Sequence, residues 1–304
     1  MDYISDYHED KKEGKFAKEV VFEVDPETAE IKKEQIVHIL KPENVGQNMC
    51  IDEKMIDKQY VTILSNQQTG KIALLVVSLK PKIVKQALTL LGVENIEKVE
   101  NISCDMSPTI KKLCEEIFVN AAIVIDKFHV IKQILDALIS IRMGIKYAIK
   151  EKKKSDKNQN GWTDLELLEK TRYLLYKREG ELDSEQKILL NSVLDKHEKL
   201  KTAYRLTQEI RKWYDKSNIG KSTKKLNEEL AKWKEKALES NIKEFKKLIK
   251  MFGTHHDEIL NYFKKGLTNA KAETLNGNIQ RFITSNRGTR NLDFFLYRVQ
   301  VYFA

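Results

Sequence analysis

Apolar and polar positions divide the chain into a strand-rich stretch followed by a long helical one. From Met49 the apolar positions come in short runs, Met49–Asp52, Tyr60–Leu64 and Ile72–Leu79, separated by turn-favouring residues. Ser65–Gly70 joins the last two runs as a hairpin connection, with Gly70 free to take a positive φ. These runs predict three consecutive antiparallel strands. Pro81–Leu91 then places apolar residues at Ile83, Val84, Ala87, Leu88, Leu90 and Leu91, with proline at the start and Gly92 at the end, as a helix requires. Val99–Cys104 and Ala121–Ile125 predict two buried strands, with a helix over Ser107–Ile117 between them. Strands joined through helices pair in parallel, so the order β-β-β-α-β-α-β predicts an α/β class with a mixed five-stranded sheet and flanking helices.

Beyond Asp126 the period becomes helical. Ile131, Ile134, Leu135, Leu138, Ile145 and Ala148 form one stripe, which runs into the charged Lys150–Lys154 and the turn-rich Ser155–Gly161. That polar stretch is the best internal boundary in the sequence. Asp183 with Gln186, and Asn241 with Glu244, have capping-box spacing and open two further helices. Residues 150–260 are expected to be all-helical, with 27 Lys and Arg against 20 Asp and Glu, a net of +7 (27 − 20) that reads first as solvated helix faces. Upstream, Lys18–Val24 predicts one strand and Gln35–Leu40 a strand or a short helix, whereas residues 1–18 have little apolar content and read as a mobile lead-in. The expected division is a lead-in at 1–47, a core at 48–149, a helical insertion at 150–262, and a return to the core at 263–304.

Composition adds limits. With 304 residues, 41% of them hydrophobic, the chain can bury a sizeable core. The 54 Lys and Arg against 45 Asp and Glu leave a formal charge of +9, which favours a polyanionic partner without establishing one. Cys50, Cys104 and Cys114 are an odd set with no C-x-x-C spacing, so they read as reduced, buried thiols and exclude a zinc ribbon. No apolar run reaches the roughly 18 residues of a membrane span, and Met1–Lys18 is too polar for a signal peptide. A cytoplasmic protein is expected.

Candidate chemistry begins with two aspartates. Asp52 ends the first apolar run and Asp105 follows the fourth; on neighbouring strands pointing the same way, their carboxylates emerge side by side. Paired hard oxygen donors suit Mg²⁺, although an Asp after a strand also serves as a helix cap, as Ser107 would before Pro108. Further motifs lie downstream: Ile123–Lys132, containing Asp126-Lys127-Phe128-His129-Val130, and Thr268–Ile279, containing Ala272-Glu273-Thr274-Leu275-Asn276-Gly277-Asn278.

With Asp105-Met106-Ser107-Pro108, these motifs resemble, in the same order over residues 48–303, the bacterial DDE transposases of the ISL-three insertion-sequence family. The resemblance implies an RNase-H-like catalytic domain that cuts DNA at the ends of a mobile element and joins it to a target. It implies Asp52, Asp105 and Glu273 as catalytic residues that hold two divalent ions, Mg²⁺ or Mn²⁺, about 4 Å apart. The gap from Asp52 to Asp105 is 105 − 52 = 53 residues, and that to Glu273 is 273 − 105 = 168, which requires a helical insertion. Asp126, His129, Asn269 and Asn276 are expected to support the triad. Lys271, Arg281, Arg287 and Arg290 are expected to contact DNA, with Arg298 and the aromatics Phe282, Phe294, Phe295 and Tyr297 interleaved and the aromatics closing the core. Glu53 and Asp57 read as solvated.

The sequence departs from the family's pattern in two places. Ser65-Asn66 stands where family members carry an Asp in the hairpin, and the zinc-binding and helix-turn-helix region that reads element ends has no counterpart in residues 1–47. Weak, sequence-independent DNA binding is therefore expected of this chain. A catalytically silent transposase-derived DNA-binding protein and a structure-selective nuclease of the same fold are the alternatives, and oligomerisation on DNA is left open.

Overall fold

The computed structural model describes residues 3–13, 16, 19–24, 31–56, 58–152, 163–266, 270–285 and 291–304. Asp57, Asn269, Arg287, Arg290 and the Ser155–Gly161 boundary stretch lie outside them. The chain divides into two compact units, residues 1–126 with 267–304, and residues 127–266.

The first unit is built on one mixed sheet. Its elements in chain order are α1 (Tyr3–Lys12), β1 (Glu19–Val24), β2 (Ile31–Leu40), β3 (Asn48–Ile56), β4 (Gln59–Asn66), β5 (Ile72–Val76), α2 (Pro81–Thr89), α3 (Val93–Glu97), β6 (Asn101–Cys104), α4 (Pro108–Ile117) and β7 (Ala122–Ile125). The strand order is β1-β2-β5-β4-β3-β6-β7. β3, β4 and β5 form the expected antiparallel meander, and β6 and β7 follow β3 in parallel. The sheet has seven strands rather than five, because β2 pairs antiparallel with β5 and β1 with β2. Val37 and Ile39 on β2 are buried, and that alternation supplies the apolar face needed to extend the sheet.

The start of the chain is likewise structured. Within α1, Tyr7 is buried and meets Phe294 and Tyr297 with ring centroids 5.3 Å apart, while the Tyr297 hydroxyl donates to Asp10 at 2.9 Å. One well-placed aromatic therefore anchors a helix whose charge had made it read as a mobile lead-in.

Turn chemistry follows the sequence closely at the β4–β5 hairpin. Gly70 has φ +78°, and the Asn66 side chain accepts the Gln68 and Thr69 N–H groups at 2.8 and 3.1 Å. Tyr297, Phe295 and Val299 of the closing helix α13 (Leu292–Phe303) and Leu275 and Ile279 of α12 (Ala270–Ser285) pack with Ile63, Ile72 and Leu75 of the sheet. Arg298 belongs to this packing and not to an open cationic surface: its guanidinium carbon lies 4.3 Å from the Phe282 ring centre.

The second unit is helical among its described residues, from α5 (Lys127–Lys152) and α6 (Asp164–Lys170) through α7 (Ser184–Leu194), α8 (Glu198–Trp213), α9 (Thr223–Glu239), α10 (Lys243–Thr254) and α11 (His256–Lys265). Trp213, Trp233, Phe245, Phe252 and Phe263 form its aromatic centre, and both indole N–H groups reach backbone carbonyls, of Leu226 at 3.1 Å and Leu206 at 2.9 Å. The units divide at Asp126/Lys127, well before the polar stretch after Lys150, because α5 is continuous and packs on α6, α8 and α10. Asp183 caps α7 by accepting the Gln186 N–H at 2.8 Å. Asn241 does not cap α10; it takes a left-handed φ of +52° in the preceding turn, a conformation Asn tolerates, and Ile242 stands at the cap. No described helix is long and apolar enough to cross a membrane.

Candidate active site

The parallel pairing of β3 with β6 determines what stands at this edge of the sheet. Cys50 lies opposite Ser103, so two residues further along, Asp105 falls opposite Asp52. β6 and β7 are in register with Cys104 opposite Ile125, which brings Asp126 level with Asp105. Asp52 within β3, and Asp105 and Asp126 each one residue past the end of its strand, thus fall at corresponding positions at one edge of three adjacent parallel strands. Asp52 is not at the end of its strand, however. β3 continues to Ile56 because β4 pairs with it along its whole length, and it is β6 that stops.

Both principal carboxylates are held by backbone donors. Asp52 Oδ1 accepts the Glu53 N–H at 2.9 Å, and Asp105 Oδ1 accepts the Ser107 N–H at 2.8 Å. Ser107 is the cap of α4, accepting from Ile110 N, with Pro108 at the first helical position. Asp105 therefore shapes the turn into α4 without being its cap, and Oδ2 is the oxygen not used in that turn. Asp126 is buried, and its backbone N–H reaches Cys104 O at 3.1 Å.

Helix α12 meets β3 through its polar face. Asn276 Nδ2 donates to Asp52 Oδ2 at 2.5 Å, and Lys54 Nζ donates to Asn276 O at 2.9 Å. Lys54 follows Asp52 by two residues, so both side chains rise from one face of the sheet. Burial lowers the Lys54 pKa, with Asp52 opposing the shift. Glu273, one helical turn before Asn276, is exposed. Among the described residues no three His, Cys, Asp or Glu side chains stand close enough to hold an ion together. The structure thus joins Asn276 to Asp52 and sets Asp105 in register, and it does not gather Glu273 with them.

Glu53 corrects the sequence reading. It is half-buried, and burial, followed by the charges of Asp105 and Asp52, raises its pKa. The Cys50 thiol is likewise pushed up by burial, then by Asp52 and Asp126. Both shifts arise first from burial, which disfavours any charge here, and the neighbouring aspartates add to them. Lys54 and Glu53 escaped sequence reasoning because their run of polar residues hid the continuation of β3; the i, i+2 spacing from Asp52 was the available signal.

Of the other residues singled out, His129 lies in the second unit, half-buried with its ring 5.9 Å from Phe128. Lys271 is exposed, its Cδ 3.8 Å from where a Cβ on Gly70 would stand, and Arg281 is exposed on α12. All three cysteines are free and buried.

An α/β chain with an acidic sheet edge and a basic overall charge fits the class of proteins that process nucleic acids. A family model described as a transposase, that of the ISL-three DDE enzymes, matches residues 49–299, and the chain belongs to this family. No curated protein and no solved structure matches it. Membership implies binding to DNA.

Proposed function

We propose that this chain is the catalytic part of a transposase that cuts DNA at insertion-sequence ends and joins it to a target. In this reading β3 to β7 form an RNase-H-like core, and Asp52, Asp105 and Glu273 hold two divalent ions, Mg²⁺ or Mn²⁺. The observation that carries the reading is the register that sets Asp105 opposite Asp52 on parallel strands. The donor set fits such ions: Asp52 and Asp105 offer hard carboxylate oxygens at one edge of the sheet, near enough for both charges to act on Glu53. Glu273 enters on a helix argument. Residues three apart are neighbours on a helix, and Asn276 is bonded to Asp52, so the exposed Glu273 lies one turn from the α12 residue that meets β3.

The ions, when bound, would activate the attacking water or 3′-hydroxyl and stabilise the leaving oxygen. The chain's own residues do the rest. Asn276 holds the Asp52 carboxylate, Lys54 fixes α12 against β3, and Asp126 borders Asp105 from β7. Lys271 and Arg281 would meet the phosphate backbone.

The test is incubation of the full chain with a plasmid carrying the DNA that flanks its coding region. Cleavage that requires Mg²⁺ and stops with EDTA is expected, with cut 3′ ends joined to a second duplex. Cleavage without joining would make the chain a structure-selective nuclease. Binding without cleavage in either Mg²⁺ or Mn²⁺ would leave it a DNA-binding remnant.

A further inference from the structure

We propose that the groove between the first turns of α2 and α4 grips the phosphates of the DNA strand that leads to the carboxylate edge, a role that rests on the transposase reading. The groove has a volume of about 540 Å³ and is lined by Lys82 and Lys85 from α2 and by Thr109 and Lys112 from α4. Its one acidic residue, Glu116, is ion-paired with Lys85. The three lysines are exposed, and with Glu116 offsetting Lys85 the lining carries a net charge of +2 (3 − 1).

Backbone charge adds to side-chain charge here. Each helix begins with a proline, Pro81 or Pro108, and neither has an acidic residue in its first turn. Lys80, at the cap position of α2, gives no side-chain capping bond. The partial positive charges of two helix ends therefore reinforce the lysines, and such ends favour phosphate oxygens.

Strand registers place the groove at the right edge. Across β4, Leu75 lies level with Asp52 through Ile63, and Val76 with Glu53 through Thr62, so β5 ends at the same edge of the sheet as the carboxylates, two strands from Asp52, and the chain enters α2 from that edge. α4 starts three residues after Asp105, whose side chain is bonded to the Ser107 N–H. A polyanion approaching Asp52 and Asp105 meets repulsion there and attraction immediately beside it. The lining includes no Arg, Asn, Gln or aromatic side chain, and ammonium groups on flexible stems act as point charges on phosphate oxygens, so the contact fits the DNA backbone.

Duplex affinity measured over a range of salt concentrations tests this. Each phosphate neutralised contributes about 0.9 to the log-log salt slope, so Lys82→Gln, Lys85→Gln and Lys112→Gln together should flatten it by up to about 2.7 units, equally for unrelated sequences. Lys112→Gln alone should lower the slope by about 0.9. Lys98→Gln is the control, because Lys98 precedes the opposite end of β6 and should leave the slope unchanged. A triple variant with the wild-type slope, while wild type binds DNA, overturns the groove assignment and leaves the transposase reading standing. Equal losses in the Lys98 and Lys112 variants also overturn it, since a diffuse charge effect would then explain both. Absence of DNA binding by wild type removes both readings.

Discussion

Asp52→Asn and Asp105→Asn should each cut DNA cleavage at least about a thousandfold and leave DNA affinity equal or slightly higher. A catalytic metal site supplies several kcal/mol, and each 1.4 kcal/mol is a factor of ten in rate, so losing one carboxylate that would hold the ions costs about three powers of ten or more. The fold should survive. Asn at position 52 keeps an Oδ1 for the Glu53 N–H, with its NH₂ donating to Asn276 once that amide flips to present Oδ1, and Asn at position 105 keeps an Oδ1 for the Ser107 N–H. Removing a negative charge also lessens repulsion of DNA, so affinity and rate should separate. Single-turnover cleavage and equilibrium binding on the same duplex measure the two effects, and cleavage by either variant within tenfold of wild type would exclude that aspartate as a ligand.

Replacing Asn276 by Ala should act on metal affinity before it acts on rate. Its carboxamide donates to Asp52 Oδ2 at 2.5 Å, fixing the direction in which the remaining lone pairs point. Loss of such an outer hydrogen bond costs about 10–100-fold in metal affinity or activity. Cleavage by Asn276→Ala is therefore expected to need more Mg²⁺ for half-saturation and to recover in excess metal. Lys54→Met, which keeps the aliphatic stem and loses the bond to Asn276 O, should shift the same curve in the same direction, with Lys54→Arg restoring most of it. Reduced cleavage at saturating metal with an unchanged midpoint would show that Asn276 acts on DNA and not through Asp52.

How much of this arrangement was legible depended on whether one local rule decided the outcome. Short apolar runs sufficed for β4, β5, β6 and β7, and Gly70 with φ +78° is what the hairpin demanded. For Asp52 and Asp105 to share an edge, the first and fourth strands had to be parallel neighbours, a condition the sequence could only suppose and the pairing of β3 with β6 meets. Where tertiary pairing overrode local pattern, the sequence misled. Polar Glu53 and Lys54 stay extended because β4 pairs beside them, and α1 is held by Tyr7 against the closing helix; at Gln35–Leu40, where the sequence left strand and short helix open, pairing with β5 decides for the strand. Asn241 had the spacing of a cap but not its backbone, a distinction that spacing cannot encode. The lysine groove was invisible for a different reason: Lys82, Lys85 and Lys112 come from separate helices, each an ordinary solvated residue until α2 and α4 are set side by side.

The central claim is that Asp52, Asp105 and Glu273 act together on divalent metal, and Glu273 is its most exposed part. Calorimetric titration of the full chain with Mn²⁺, repeated for Asp52→Asn, Asp105→Asn and Glu273→Gln, tests it directly. Metal–carboxylate bonds are only about 2.1 Å long, so each substitution removes a direct ligand. Wild type should bind Mn²⁺, and each of the three variants should bind at least about tenfold more weakly, at the low end of what even an outer-sphere change costs. Wild-type affinity in Glu273→Gln would remove Glu273 from the site, and unchanged affinity in all three would contradict the metal-dependent account.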